Sequence, residues 1–184
     1  MIIGIVIGVV VVLLLVWFIG AYNGFVKLKN KIEEAFATMD VYLKKRWDLV
    51  PNLVNTVKGY ADHEKETLSK VTEMRSKPYD AMSANEKVEA GIGMSSAISR
   101  LIATAEAYPE LKANENFVNL QNQLNQLEND IASSRKYYNG CVREMNTKVE
   151  SFPSNIIAGM FHFERYKMYE VEDAQERQNV KVEF

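Results

Sequence analysis

The sequence predicts an all-α chain: one N-terminal transmembrane helix continues into an elongated antiparallel bundle of about four long helices, followed by a short extended C-terminal tail. Three observations predict it. Residues 2–21 carry no charge, the apolar positions after them recur at threes and fours, and that period is lost from Pro153 onward. At about 1.5 Å per helical residue such an apolar run spans about 30 Å, the thickness of a bilayer's hydrocarbon core. The averages over 184 residues, 47% hydrophobic and 25% charged, conceal this, because all 22 Lys and Arg and all 24 Asp and Glu stand at or after Lys27. The expected divisions are an anchor at 1–21, a bundle at 22–152 whose first helix continues the anchor, and an aromatic flap at 153–184.

The first element is the membrane pass. A cleaved signal peptide has a basic start, a shorter apolar run and a small-x-small exit. Here the run leaves through Trp17-Phe18-Ile19-Gly20-Ala21, so retention is expected, with Trp17 and Tyr22 suiting an interfacial aromatic belt. Gly4 and Gly8 have the GxxxG spacing that lets two helix backbones approach in lipid, a candidate self-association face. Lys27, Lys29 and Lys31 cluster just past the run and would meet anionic headgroups at about 1 kcal/mol each. The same lysines favour an outside N-terminus and a cytoplasmic bundle.

Four bundle helices follow. Ile32, Phe36, Met39 and Leu43 extend the membrane helix to about Trp47 as a rigid stalk. Asp48 is expected to cap a second helix, with Pro51 tolerated in its first turn and Val50, Val54, Val57, Ala61, Leu68 and Val71 keeping the period to about Arg75. Residues 76–85, SKPYDAMSAN, read as a loop. A third helix, capped by Ser83 or Asn85, carries Val88, Ile92, Ile98 and Ile102 on one face; its Gly91, Gly93, Ser95 and Ser96 weaken helix propensity but permit close packing. The fourth runs from Phe117 through Leu124, Ile131, Tyr138 and Met145 to Phe152 in near-heptad, coiled-coil-like spacing, with a Gln/Asn-rich outer face. In the tail, Phe161, Phe163, Tyr166, Tyr169 and Phe184 crowd among charges, and Val180, Val182 and Phe184 alternate as an edge strand would. The tail is expected either to cover one end of the bundle or to serve as a partner-docking or assembly surface.

Signs of chemistry are sparse. A net charge of −2 gives no basic coat for phosphates, so nucleic-acid binding is not expected. Cys141, the single cysteine, allows no intrachain disulfide and sits on the apolar stripe of the fourth helix as a core residue would. His63-Glu64 begins like a zinc-protease helix, but Thr67 occupies the second histidine's place, and His162 is far along the chain. Glu33-Glu34 and Glu64-Glu66 do not face each other across a cleft as a catalytic acid and base must. Phosphate loops and nucleophile elbows are missing too. The expectation is a non-enzyme without catalytic residue, metal or cofactor.

Two blocks resemble the LemA family of bacterial proteins. They are YNGFVKLKNKIEEAF, followed by MDVYLKKRWDLVPNLVNTVKGYADHEKETL, and the later stretch from Glu106 to Glu170. Together they cover nearly all of the chain past the anchor, with 76–100 the least diagnostic. Where many members show FGF, this chain has Phe161-His162-Phe163. The resemblance implies a membrane anchor and an elongated antiparallel bundle, and it brings no activity, cofactor or catalytic residue. The motifs from Asp48 to Val54 and from Tyr108 to Asn114 resemble its helix-turn elements; Asn52 and Asn114 are expected to bond free backbone groups where helices meet.

The expected function is therefore a membrane-anchored, non-enzymatic scaffold. It self-associates as a homo-oligomer and presents its bundle to protein partners at the bacterial inner membrane, with lipid as a further partner. Competing expectations are membrane shaping or envelope maintenance by such an oligomer, and transmembrane signal coupling through the first helix. The minimal outer segment weighs against coupling.

Overall fold

The computed structural model describes residues 1–61 and 65–169, and among them it is all-α. The elements are α1 (Ile2–Lys58), α2 (Lys65–Met74), one 3-10 turn (Tyr79–Ala81), α3 (Ala84–Ala105), α4 (Pro109–Lys112), α5 (Glu115–Glu150) and α6 (Ser154–Phe161). α1 has 57 residues, about 86 Å at the usual rise. Its N-terminal part is long and apolar enough to cross a membrane, and none of that part is buried by the rest of the chain. From Phe25 onward the same helix turns core-forming: Phe25, Ile32, Met39, Val50, Leu53 and Val57 are buried. Span and stalk are thus one rod.

α1 and α5 form the long antiparallel pair. Lys31 meets Glu144, Phe36 meets Tyr138, Arg46 meets Glu128 and, just past the end of α1, Tyr60 meets Asn114, each step forward being matched to within one residue by a step back along α5. From Gly24 to Tyr60 that shared length is about 54 Å. α2 and α3 lie together, and α3 also packs on α1. The bundle therefore has the four helices expected, with different boundaries.

The largest difference is at Asp48. No helix begins there; α1 runs through Pro51 to Lys58, and the chain breaks at Gly59. Proline in a helix interior costs about 3 kcal/mol. A break at Asp48 would turn Val50, Leu53 and Val57 out of the core, and each is worth about 1.5–3 kcal/mol buried. Three such side chains outweigh one lost hydrogen bond. Asp48 instead takes the Lys44 ammonium at 2.7 Å on the exposed face, and Asn52 is exposed in mid-helix with no helix end to satisfy.

The other caps follow the sequence more closely. Ser83 opens α3 with a reciprocal capping box: Glu86 N–H donates to Ser83 Oγ, and Ser83 N–H donates to Glu86 Oε2 at 2.7 Å. Asn114 opens α5 by accepting from Phe117 N–H at 3.1 Å, and its amide donates to Tyr60 Oη across to the end of α1. The 76–85 loop contains the 3-10 turn, which buries Tyr79 against Trp47.

The tail begins as a helix, contrary to the extended segment expected from Pro153. Ile157 and Ala158 of α6 are buried against the bundle. At its end His162 takes a left-handed φ of 56°, letting Phe163 N–H reach back to Ala158 C=O at 2.9 Å. Residues 163–169 then run without regular structure along α5. Phe184 and the alternation at 180–184 lie outside the described residues.

Candidate membrane-exit site

Where α1 leaves its apolar span, the end of α5 and α6 close around it. Phe161 packs against Phe18 (centroids 5.9 Å apart) and Tyr22 (4.6 Å), while Phe163 stacks on Phe25 at 4.8 Å with the rings 13° from parallel. Such ring pairs add about 0.5–1.5 kcal/mol each beyond area burial. They seal the bundle end onto the base of the span. The bundle's packing therefore reaches Phe18, inside the apolar run assigned to the anchor.

Beside this seal is an open groove of about 860 Å³ between α1 and α5. Lys27 and Lys31 enter it from α1, Arg143 and Lys148 from α5, and among its lining residues Glu144 is the one carboxylate. The antiparallel register makes this cluster, because the last turns of α5 must lie beside the first charged turns of α1. Lys148 reaches across so that its ammonium stands 4.7 Å from the centroid of the Phe25 ring. A Cβ on Gly24 would overlap that ammonium, so the missing side chain is what admits it. Burial lowers the Lys148 pKa from its ordinary value, with Glu144 acting the other way. An open groove with four cations and one carboxylate, Glu144 paired with Lys31, is chemically suited to a phosphate or carboxylate.

Farther along the rod the charges are enclosed. Arg46 is 1% exposed; its guanidinium donates to Ser95 Oγ, Glu128 Oε1 and Gly91 C=O, each at 2.6 Å, joining α1, α3 and α5. Its Nε has no hydrogen-bond partner among the described residues. Next to it Asp40 accepts from Tyr79 Oη at 2.6 Å and from Lys87 at 2.7 Å. Burial, then the bond to Asp40, raises the Tyr79 pKa.

The extended tail is held by two asparagines. Asn146 donates to Tyr166 C=O at 3.0 Å and accepts from Tyr166 N–H at 2.9 Å; Asn139 does the same with Tyr169, both at 2.8 Å. Seven helical residues rise about as far as three extended ones span, roughly 10 Å, so the two pairs fall in register.

The residues singled out in the sequence divide accordingly. Cβ atoms on Gly4 and Gly8 would meet open space, and Trp17 is 40% exposed. Lys27 and Lys31 share the groove, whereas Lys29 points elsewhere, toward Glu33 at 4.0 Å. The tail aromatics are turned toward their own chain: Phe161 and Phe163 onto the span's base, Tyr166 half-buried, and Tyr169 4% exposed in the core rather than on a surface. Cys141 is buried, as its stripe position implied. Gly24, Arg143, Lys148 and Arg46 were not foreseen. Arg46 had a readable signal, since Leu43, Arg46, Val50 and Leu53 continue the three-four spacing of the core face. The groove cations had none until the register of α5 was known.

Residues 35–184 match the profile of the LemA family. The chain belongs to the LemA family. It is similar to the protein LemA of Metamycoplasma hominis, 27% identical over 142 residues covering 77% of this chain and 65% of that relative. It is also similar to the magnetosome protein MamQ 2 of Paramagnetospirillum magneticum, 24% identical over 83% of this chain and 66% of the relative. A MamQ from Magnetospirillum gryphiswaldense is 24% identical over 80% and 64%. The chain spans a little under two thirds of the length of these relatives. Family membership and the exposed apolar helix together make this a membrane-associated protein.

Proposed function

We propose that this LemA-family protein is a non-enzymatic scaffold that self-associates and presents its bundle to protein partners at the bacterial inner membrane, bundle in the cytoplasm. The observation that carries the reading is the unbroken α1, in which one helix is exposed apolar span at one end and bundle core at the other. A rod so built holds the bundle at a fixed distance from the bilayer. The bare flank of the span at Gly4 and Gly8 supports close approach of a second copy. Arg143 and Lys148 join Lys27 and Lys31 at the exit, and this basic concentration favours the cytoplasmic side. The same groove supports an anionic lipid headgroup as a ligand.

Chemical cross-linking of the full-length protein in intact cell membranes tests the reading. Discrete homo-oligomers are expected; recovery of monomer alone at every cross-linker dose overturns self-association. A membrane-impermeant thiol reagent applied to intact cells, with a cysteine introduced at exposed Glu115, should fail to label until the membrane is opened.

A further inference from the structure

We propose that the turn at Phe152 and helix α6 form a second membrane-contacting element, an interfacial wedge seated in the bilayer beside α1. From Ser151 to Phe163 the chain carries no Asp, Glu, Lys or Arg. α6 buries Ile157 and Ala158 and turns Phe161 onto Phe18 and Tyr22, yet its other side carries apolar groups too: Ile156 is 53% and Met160 60% exposed, and Phe152 in the preceding turn 81%. A soluble helix with one apolar face buried presents polar groups on the other. Among the described residues, the other large apolar side chains exposed past the span, Val41, Tyr60, Val118 and Tyr137, are spread along the rod.

What covers this face follows from where it sits. Phe161 touches Phe18, which lies four residues, about 6 Å, to the membrane side of Tyr22. Interfacial helices bury their apolar face about 5–10 Å into the headgroup and acyl boundary, the depth this contact sets for α6. The contact thus holds α6, with its exposed Ile156 and Met160, at the level of the apolar span. The basic groove of Lys27, Arg143 and Lys148 adjoins α6 through Ser151 and Ser154, at the level of headgroup phosphates. Apolar wedge and cationic collar together are the two signals that fix an element at an interface. Because α6 lies on one flank of α1, the contact also sets the rotation of the rod about its axis and limits its tilt.

This inference depends on the anchor reading, and one experiment separates the two. Single cysteines at Val10, Val118, Ile156 and Met160 of the full chain are spin-labelled; Cys141 is buried and the unmutated chain serves as the labelling blank. The proteins are reconstituted into phosphatidylcholine–phosphatidylglycerol vesicles, and collision with oxygen is compared with collision with a water-soluble nickel complex. Labels at 156 and 160 should be several-fold less accessible to nickel than that at 118 and should lie shallower than that at 10. Nickel accessibility at 156 and 160 equal to that at 118 overturns the wedge while leaving the anchor intact. Spin–spin broadening at 156 that persists in detergent shows a second copy on this face and overturns it as well. A nickel-accessible Val10 overturns the anchor and the wedge together.

Discussion

The membrane-exit groove and the Arg46 centre are built by the same two helices in the same register, yet they treat charge in opposite ways. At the exit four cations share an open groove with one carboxylate, and of these Lys148 is partly buried against Phe25. Some twenty residues farther along α1 a single guanidinium is enclosed by α1, α3 and α5 and meets three acceptors at 2.6 Å. The third helix makes the difference. α3 packs over the middle of the α1–α5 pair and shuts water out, which turns charge into a device for fixing register. Among the described residues no helix corresponding to α3 lies over the exit, and the groove there stays open.

The largest effect expected from breaking this contrast is at Arg46. Arg46→Ala strips the partner from Glu128 and leaves Gly91 C=O and Ser95 Oγ in a site closed to solvent. Removing one member of a buried ion pair costs about 3–5 kcal/mol. Glu128 keeps a 37% exposed side chain and can recover water, so about 3 kcal/mol is expected, read as a fall in the urea midpoint of the detergent-solubilised full chain. Lys27→Ala in the groove should shift that midpoint by less than about 0.5 kcal/mol. Equal losses would mean that the groove is structural after all.

A matched pair of glycine substitutions sharpens the contrast. Both positions are helical, where Ala is favoured over Gly by about 1 kcal/mol. At Gly91 a Cβ would stand 3.0 Å from Tyr169 Oη, 3.1 Å from Leu43 Cδ2 and 3.3 Å from the Arg46 guanidinium, three neighbours packed on every side. Overpacking of that kind costs about 1–3 kcal/mol, so Gly91→Ala should lose about 1 kcal/mol net. At Gly24 the Cβ meets only the Lys148 ammonium, the free end of a long chain that can swing into the groove. Gly24→Ala should therefore gain up to about 1 kcal/mol. The same sign at both sites would erase the distinction between closed and open regions.

How much of this was legible depends on whether a feature is local. The span, the Ser83 and Asn114 caps and the long α5 are each fixed by neighbours in sequence, and they were readable. The structure departs from the expected Asp48 boundary because capping and proline rules are local, while the burial of Val50, Leu53 and Val57 in the bundle core is not. α6 was hidden by brevity: eight residues give two turns, too few for a period to show. His162 takes a left-handed φ of 56°, a conformation that costs a side-chain-bearing residue about 1–2 kcal/mol and glycine nothing. The groove could not be read at all before the fold, since Lys27 and Lys148 are brought together only by the antiparallel return of α5.

The smallest effect is the most direct on the open region, and it concerns Lys148. Its pKa is lowered, chiefly by burial beside Phe25, below the 10.5 it takes in the unfolded chain. As pH rises, the folded chain gives up this proton before the unfolded one does, so between the two values the unfolded state binds more protons and stability increases with pH. Below the folded value both states are charged and the contribution is constant and unfavourable. Titrating lysine side-chain resonances in neutral detergent should place Lys148 below the other lysines, with the resonance assigned by its loss in Lys148→Met. Gly24→Ala pushes the ammonium toward water and should return its midpoint toward 10.5. An anionic amphiphile bound in the groove should raise it as well, because an opposite charge favours the protonated form. If neither moves the midpoint, the groove's cations are not reporting on a shared open site, and the contrast with the enclosed Arg46 loses its chemical meaning.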